Sequence, residues 1–262
     1  MVEGRVTRGT TGTNRLRRID RWIATLPVLR SSDDPLVVDL GFGASATTSL
    51  ELFERLRPVN PALEVIGIEI EPERVRVASA RAVPGVSFRV GGFEVPLPGD
   101  RRPTVIRALN VLRQYDEHEV VPNWRRMVDR LQPGGVLVEG TCNEVGRVCA
   151  WIDVTADGPQ TLTVSLRLDD LESPGIVAER LPKVLIHRNV PGERTHDFIE
   201  ALDRHWRYNA GLATFGASQR WIAVAKAMKA EGWPVRGTQR RWRLGELTVD
   251  WAAVEPEGFG WA

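Results

Sequence analysis

The run Leu36-Val37-Val38-Asp39-Leu40-Gly41-Phe42-Gly43-Ala44-Ser45-Ala46 joins five strand-like residues to a glycine turn. A short, almost wholly apolar run that stops at a glycine reads as a strand covered on both faces. Glycines at 41 and 43 let the backbone turn sharply and approach a ligand closely, and the helix that follows offers unpaired N–H groups. That helix is read over 48–57, where Thr48 and Glu51 have capping-box spacing and Leu52, Phe53 and Leu56 share one side.

Outward from this unit the pattern repeats. Residues 64–70 (EVIGIEI) read as a second strand and the segment from Glu71 as a helix, with Val75, Ala78 and Ala82 in phase. Strands follow at 86–90 and 104–109, then a helix at 119–131 and a strand at 135–141. Strict alternation implies a parallel sheet with helices on both faces and right-handed crossovers. After Cys142 the period changes: WIDVT and TLTVSLRL flank Ala156-Asp157-Gly158-Pro159 and read as an antiparallel hairpin closing the sheet edge. Upstream, residues 14–29 read as a helix with Ile19, Trp22, Ile23 and Leu26 on one face. Residues 173–232 are helical in pieces broken at Pro182, Pro191 and Gly211, and 244–251 is a last strand. The expected fold class is therefore α/β: a doubly wound, mostly parallel sheet with an antiparallel edge hairpin, an N-terminal helix and a mainly helical C-terminal cap. The expected domains are 1–30 as a helical segment, 31–172 as the core and 173–262 as a cap over the substrate.

Composition bounds the possibilities. The 262 residues are 42% hydrophobic and 26% charged, with a net charge of +1, which is ordinary for a globular protein and gives no overall pull on polyanions. No apolar run nears the ~20 residues that span a bilayer, and the N-terminus lacks an apolar signal core, so a cytoplasmic protein with no membrane partner is expected. Two cysteines, no CxxC and no histidine at ligand spacing argue against a metal site or a disulfide framework. Charge is unevenly spread, with seven arginines against Glu3 and Asp20 in residues 1–30.

The glycine turn formally satisfies the dinucleotide pattern G-x-G-x-x-G/A, with Glu69 ending the second strand where it can hold ribose hydroxyls. Asp39 points elsewhere, because a carboxylate there would repel a pyrophosphate and suits a cationic ligand. The segments VVDLGFG, GIEIEPERV and LQPGGVLVEG, in that order, resemble the motifs of class I, Rossmann-like S-adenosylmethionine-dependent methyltransferases. The resemblance covers residues 36–142. It implies S-adenosyl-L-methionine as cofactor, with Asp39, Gly41 and Gly43 at its methionine part, Glu69 at the ribose, and Ile70, Gly92, Phe93 and Asn110 completing the site. At the third motif the chain reads Gly91-Gly92-Phe93-Glu94 where the family often has an acid after a glycine. Phe93 covers the adenine ring or packs in the core, and both readings stand.

Methyl transfer is a displacement at an activated carbon, so an enzyme chiefly aligns the reactants and removes a proton where required. The end of the fourth strand opens over the donor site, making Asn110 and Tyr115, with Gln114, candidate acceptor-site residues. His187 is a candidate base. Glu144 lies just past the fifth strand, whereas Glu139 falls within it. The expected acceptor is a small molecule. RNA is the alternative, because basic and aromatic residues interleave at 205–208 and 240–243 and because GFG followed by GIEI also resembles tRNA guanine-N7 methyltransferases. That family's Pro-Asp-Pro-Trp-like segment is, however, replaced by Asn110-Val111-Leu112-Arg113. An NAD(P)-dependent oxidoreductase and a non-catalytic binding module are the other classes weighed.

Overall fold

In the computed structural model, which describes residues 2–261, the alternation becomes one nine-stranded sheet of order β3-β2-β1-β4-β5-β6-β7-β9-β8. The first five strands run parallel: β1 (Leu36–Leu40), β2 (Glu64–Glu69), β3 (Val86–Val90), β4 (Val105–Leu109) and β5 (Val136–Cys142). Every residue of β1, β4 and β5 is buried, as expected of strands with helices on both faces. Four antiparallel strands complete the sheet: β6 (Val148–Thr155), β7 (Gly158–Leu166), β8 (Val235–Arg236) and β9 (Glu246–Asp250). The antiparallel edge is thus wider than one hairpin. Leu247 and Val249 of β9 are fully buried against β7, and the two-residue β8 forms the outer edge.

The helices are α1 (Arg17–Ile23), α2 (Pro27–Ser31), α3 (Thr47–Leu56), α4 (Pro72–Ser79), α5 (Glu117–Val128), α6 (Lys183–Ile186), α7 (Arg194–Tyr208), α8 (Ala217–Glu231) and α9 (Gln239–Trp242). The single helix read over 14–29 divides in two because Pro27 has no N–H to continue α1 and instead starts α2. The capping box read at Thr48 is absent. The Thr48 hydroxyl donates to Asp39, and α3 begins after Ala46 without a side-chain cap. A true capping box holds α5, between Asp116 and Glu119.

A buried ion network ties α1 to the sheet. Asp39 of β1 and Arg107 of β4 are register partners, and the Arg107 guanidinium lies 2.7 Å from Asp39 and also pairs with Asp20 of α1. Asp20 accepts a second bond from Arg55 of α3 at 2.6 Å, and Asp39 accepts from Ser49 Oγ at 2.7 Å. Burial alone would depress Arg107, but the two aspartates outweigh it and raise its pKa. Burial raises the Asp20 carboxyl, with Arg107 and Arg55 opposing. No helix of the described residues is long and apolar enough to cross a membrane.

Candidate active site

Above the carboxyl ends of β1, β4 and β5 opens a cleft of about 380 Å³. Gly41 (φ +70°) and Gly43 (φ +85°) adopt the left-handed conformation that the turn between β1 and α3 requires. Both border the cleft, together with Asp39 and Asn110. Glu69, at the end of β2, is 1% exposed. Its carboxylate accepts the Gly43 N–H (3.0 Å) and the Ile70 N–H (2.9 Å), and Arg74 lies 3.6 Å away. A carboxylate has about four acceptor positions, so Glu69 retains capacity for a ligand hydroxyl.

A narrower slot adjoins the cleft between Ile70, Gly92, Phe93, Val111 and Tyr115. Residues 3–11 lie across slot and cleft as an extended strap. The Glu3 carbonyl accepts the Phe93 N–H (2.9 Å), the Glu3 N–H donates to Glu94 (2.8 Å) and the Arg5 N–H donates to the Tyr115 hydroxyl. Farther along, the Gly9 carbonyl accepts the Ala44 N–H (3.0 Å), and Arg74 donates to the Thr7 carbonyl (2.9 Å). Gly92 permits the closest approach, since a Cβ there would collide with the Glu3 carbonyl. Under the strap the slot keeps about 10 Å³, room for roughly one water.

The residues singled out from the sequence fall into three groups. Gly41, Gly43, Glu69, Ile70, Gly92, Phe93, Asn110 and Tyr115 converge on the cleft and slot. Asp39 borders the cleft, yet it is 2% exposed and both its oxygens are engaged inside the protein. Its expected role as a charge facing the ligand is corrected: Arg107 neutralises it. His187 stands apart, exposed at the end of α6 with Lys183 Nζ 3.4 Å from its ring. Asn110 is itself strained (φ +62°) and spans to β5, accepting the Cys142 N–H (3.0 Å) and donating to Cys142 Sγ (3.3 Å). Phe93 packs edge-on against Tyr115, 5.3 Å between ring centres. Burial pushes the Tyr115 hydroxyl upward despite the nearby Arg5.

The cleft wall expected from the C-terminal region comes from the opposite end of the chain. Thr7, Arg8, Thr10, Thr11 and Arg15 line it, whereas residues 173–262 contribute Arg180. Cys142 also borders the cleft, directly across the β5–β6 ladder from Cys149. The Cys149 thiol hydrogen bond, joined by Arg15 and Asn110, brings Cys142 down to about 6 against the opposing effect of burial. The cysteine spacing of seven held one hint of this pairing, since two strands joined by a short turn place such residues opposite each other.

No family model matches the chain, and no curated protein does. Among solved structures the chain is similar to human N-acetylserotonin methyltransferase in complex with SAM, at 21% identity and a TM-score of 0.37, over 50% of this chain and 36% of that one. It is similar also to a SAM-bound amino pentose methyltransferase from Micromonospora echinaspora (22% identity, TM-score 0.37, 61% and 66% of the two chains). A third is described as a pericyclic reaction enzyme (19% identity, TM-score 0.37), of which the chain spans 32% while 46% of this chain is covered. Likeness at this level assigns neither a family nor a substrate.

Proposed function

We propose that the protein is an S-adenosylmethionine-dependent methyltransferase acting on a small-molecule acceptor. The observation that carries the reading is Glu69 buried at the end of β2 beside the Gly41–Gly43 turn, both bordering the opening above the parallel strands. Two features separate it from a dinucleotide enzyme. The strand beside β5 is antiparallel and hairpin-linked, whereas the dinucleotide fold continues with a parallel sixth strand. The Gly43 and Ala44 N–H groups, which would cradle a diphosphate, already have acceptors in Glu69 and Gly9.

The residues fit the cofactor in kind. Glu69 would hold the ribose hydroxyls, Ile70 and Phe93 would flank the adenine, and Arg15, 9% exposed at the cleft wall, would take the methionine carboxylate. The cofactor supplies a methyl group already activated on a sulfonium. Asn110, fixed by its two bonds to Cys142, narrows the cleft where the acceptor must align. A proton, where the acceptor carries one, would pass to Glu144 at the rim or to Cys142, whose thiol the Cys149 hydrogen bond, Arg15 and Asn110 hold below its usual value.

Isothermal titration is expected to give S-adenosylhomocysteine a Kd on the order of micromolar and NAD no measurable binding. Glu69→Ala should weaken the former about tenfold or more, the usual loss for a hydrogen bond to a charged group. Binding of NAD with none of S-adenosylhomocysteine would overturn the reading. The strap adds a second expectation, because adenosine enters the slot only after residues 3–7 lift, and apparent affinity falls in proportion to the open fraction. Tyr115→Phe combined with Glu94→Ala removes two of the strap's anchors and should tighten S-adenosylhomocysteine binding roughly tenfold. An unchanged or weaker Kd would show that the strap does not compete.

An RNA acceptor is the second reading. Arg241 of α9 donates to the Arg21 carbonyl (3.4 Å), which brings α9 beside the exposed Arg17 and Arg21 of α1. Against it, Arg241 is spent on Glu246, and Trp206 and Trp242 are buried, leaving neither ring free to stack a base.

A further inference from the structure

The cleft carries more positive charge than the cofactor can use. Arg8, Arg15, Arg113 and Arg180 border it from the strap, from the turn before α1, from the turn after β4 and from the segment leading to α6, in that order. Asp39 is matched by Arg107, so the remaining carboxylate of the lining is Glu144, exposed at the rim and paired with Arg180 at 3.6 Å. The Arg8 side chain has no hydrogen bond or ion pair to a described residue. Arg113 donates one bond, to the Glu179 carbonyl (3.1 Å), leaving most of its five donors free. Burial and then the like charges of Arg180 and Arg8 depress Arg113, with Glu144 and Glu179 opposing, so these cations repel one another in the absence of an anion.

This inference rests on the methyltransferase reading for the donor's position. S-adenosylmethionine brings one carboxylate, one ammonium and one sulfonium and is itself a net cation. Its carboxylate occupies one guanidinium. We infer that Arg8, Arg113 and Arg180 form an anion subsite for the acceptor, which is a small metabolite bearing carboxylate or phosphate groups. Guanidinium groups bind both anions bidentately, and a walled cleft of one sign focuses its field on a small ligand. The protein as a whole carries only +1, so the attraction belongs to this cleft and not to the surface at large.

The test measures thermal shift and titration with citrate and with inorganic phosphate, at constant ionic strength, with S-adenosylhomocysteine present. Citrate and phosphate are expected to raise Tm beyond chloride, since a ligand of the native state stabilises it. In Arg113→Met/Arg180→Met, anion affinity should fall at least tenfold while S-adenosylhomocysteine affinity stays within about twofold, the latter also certifying a folded variant. Equal binding of citrate, phosphate and chloride, or equal binding by variant and wild type, overturns the subsite. An RNA oligonucleotide that displaces citrate and binds with a steep salt slope overturns the small-metabolite assignment. Anion binding that is lost in the variant, in a protein that never binds S-adenosylhomocysteine, upholds the subsite and sinks the methyltransferase reading instead.

Discussion

Arg107→Leu is expected to cost the fold about 3–5 kcal/mol, the range for removing one partner of a buried ion pair, and to lower Tm by roughly 10 °C. The side chain is fully buried and bridges three elements: Asp39 of β1, Asp20 of α1 and the Thr48 carbonyl of α3. With leucine in its place, Asp20 keeps only Arg55, and Asp39 keeps only the Thr48 and Ser49 hydroxyls. Two carboxylates then stand buried with one cation between them. Asp39→Asn should cost less, because Arg107 retains Asp20 and the amide oxygen still accepts from Ser49. Adding Asp20→Asn and Asp39→Asn to Arg107→Leu should restore part of the loss, as coupled neighbours do. Denaturant unfolding checks all three variants, and a loss under about 1 kcal/mol for Arg107→Leu would mean that the network contributes little.

The same network marks where sequence reading stopped short. The strands from 36 to 142 were legible because buried parallel strands read as apolar runs and helices as a 3.6-residue period. The glycine turn and Glu69 were legible because the tight turn needs glycine and the strand end faces the cleft. Asp39 was readable as a polar residue in an apolar strand, but its partner depends on register. Arg107 in VIRAL is the one cue, since a buried arginine requires a carboxylate, and Asp39 lies opposite it in the ladder. The strap was not legible at all. Residues 3–11 have no apolar period and hold their place through backbone bonds to Phe93, Tyr115 and Ala44, which leave no mark on composition. The C-terminal half was misjudged in emphasis for a related reason: helical period shows that α7 and α8 pack, not whether they pack on the sheet or over the cleft.

Glu139 offers the second large effect, and here the sign decides the experiment. It lies in the middle of β5 between Ala108 and Ile152, fully buried, with neither carboxylate oxygen hydrogen-bonded. Burial pushes it up from 4.5 to about 8, and Trp124 opposes this only in part, its indole N–H also lacking a hydrogen-bond partner. The folded protein therefore keeps a proton that the unfolded chain has already released. Because the native state binds more protons across that interval, stability falls as pH rises from about 4.5 to about 8 and levels off above it. At about 1.4 kcal/mol per unit, the loss is on the order of 5 kcal/mol over the window. Glu139→Gln has nearly the same shape and no proton to lose, so its stability should lack this slope. At pH 5 the two proteins should be close, whereas at pH 8 the glutamine variant should be more stable by a few kcal/mol. Urea unfolding of both proteins at half-unit steps isolates the residue, since every other titrating group cancels in the difference curve. A difference curve that stays flat would mean that Glu139 ionises freely in the folded state, through water reaching it inside the sheet.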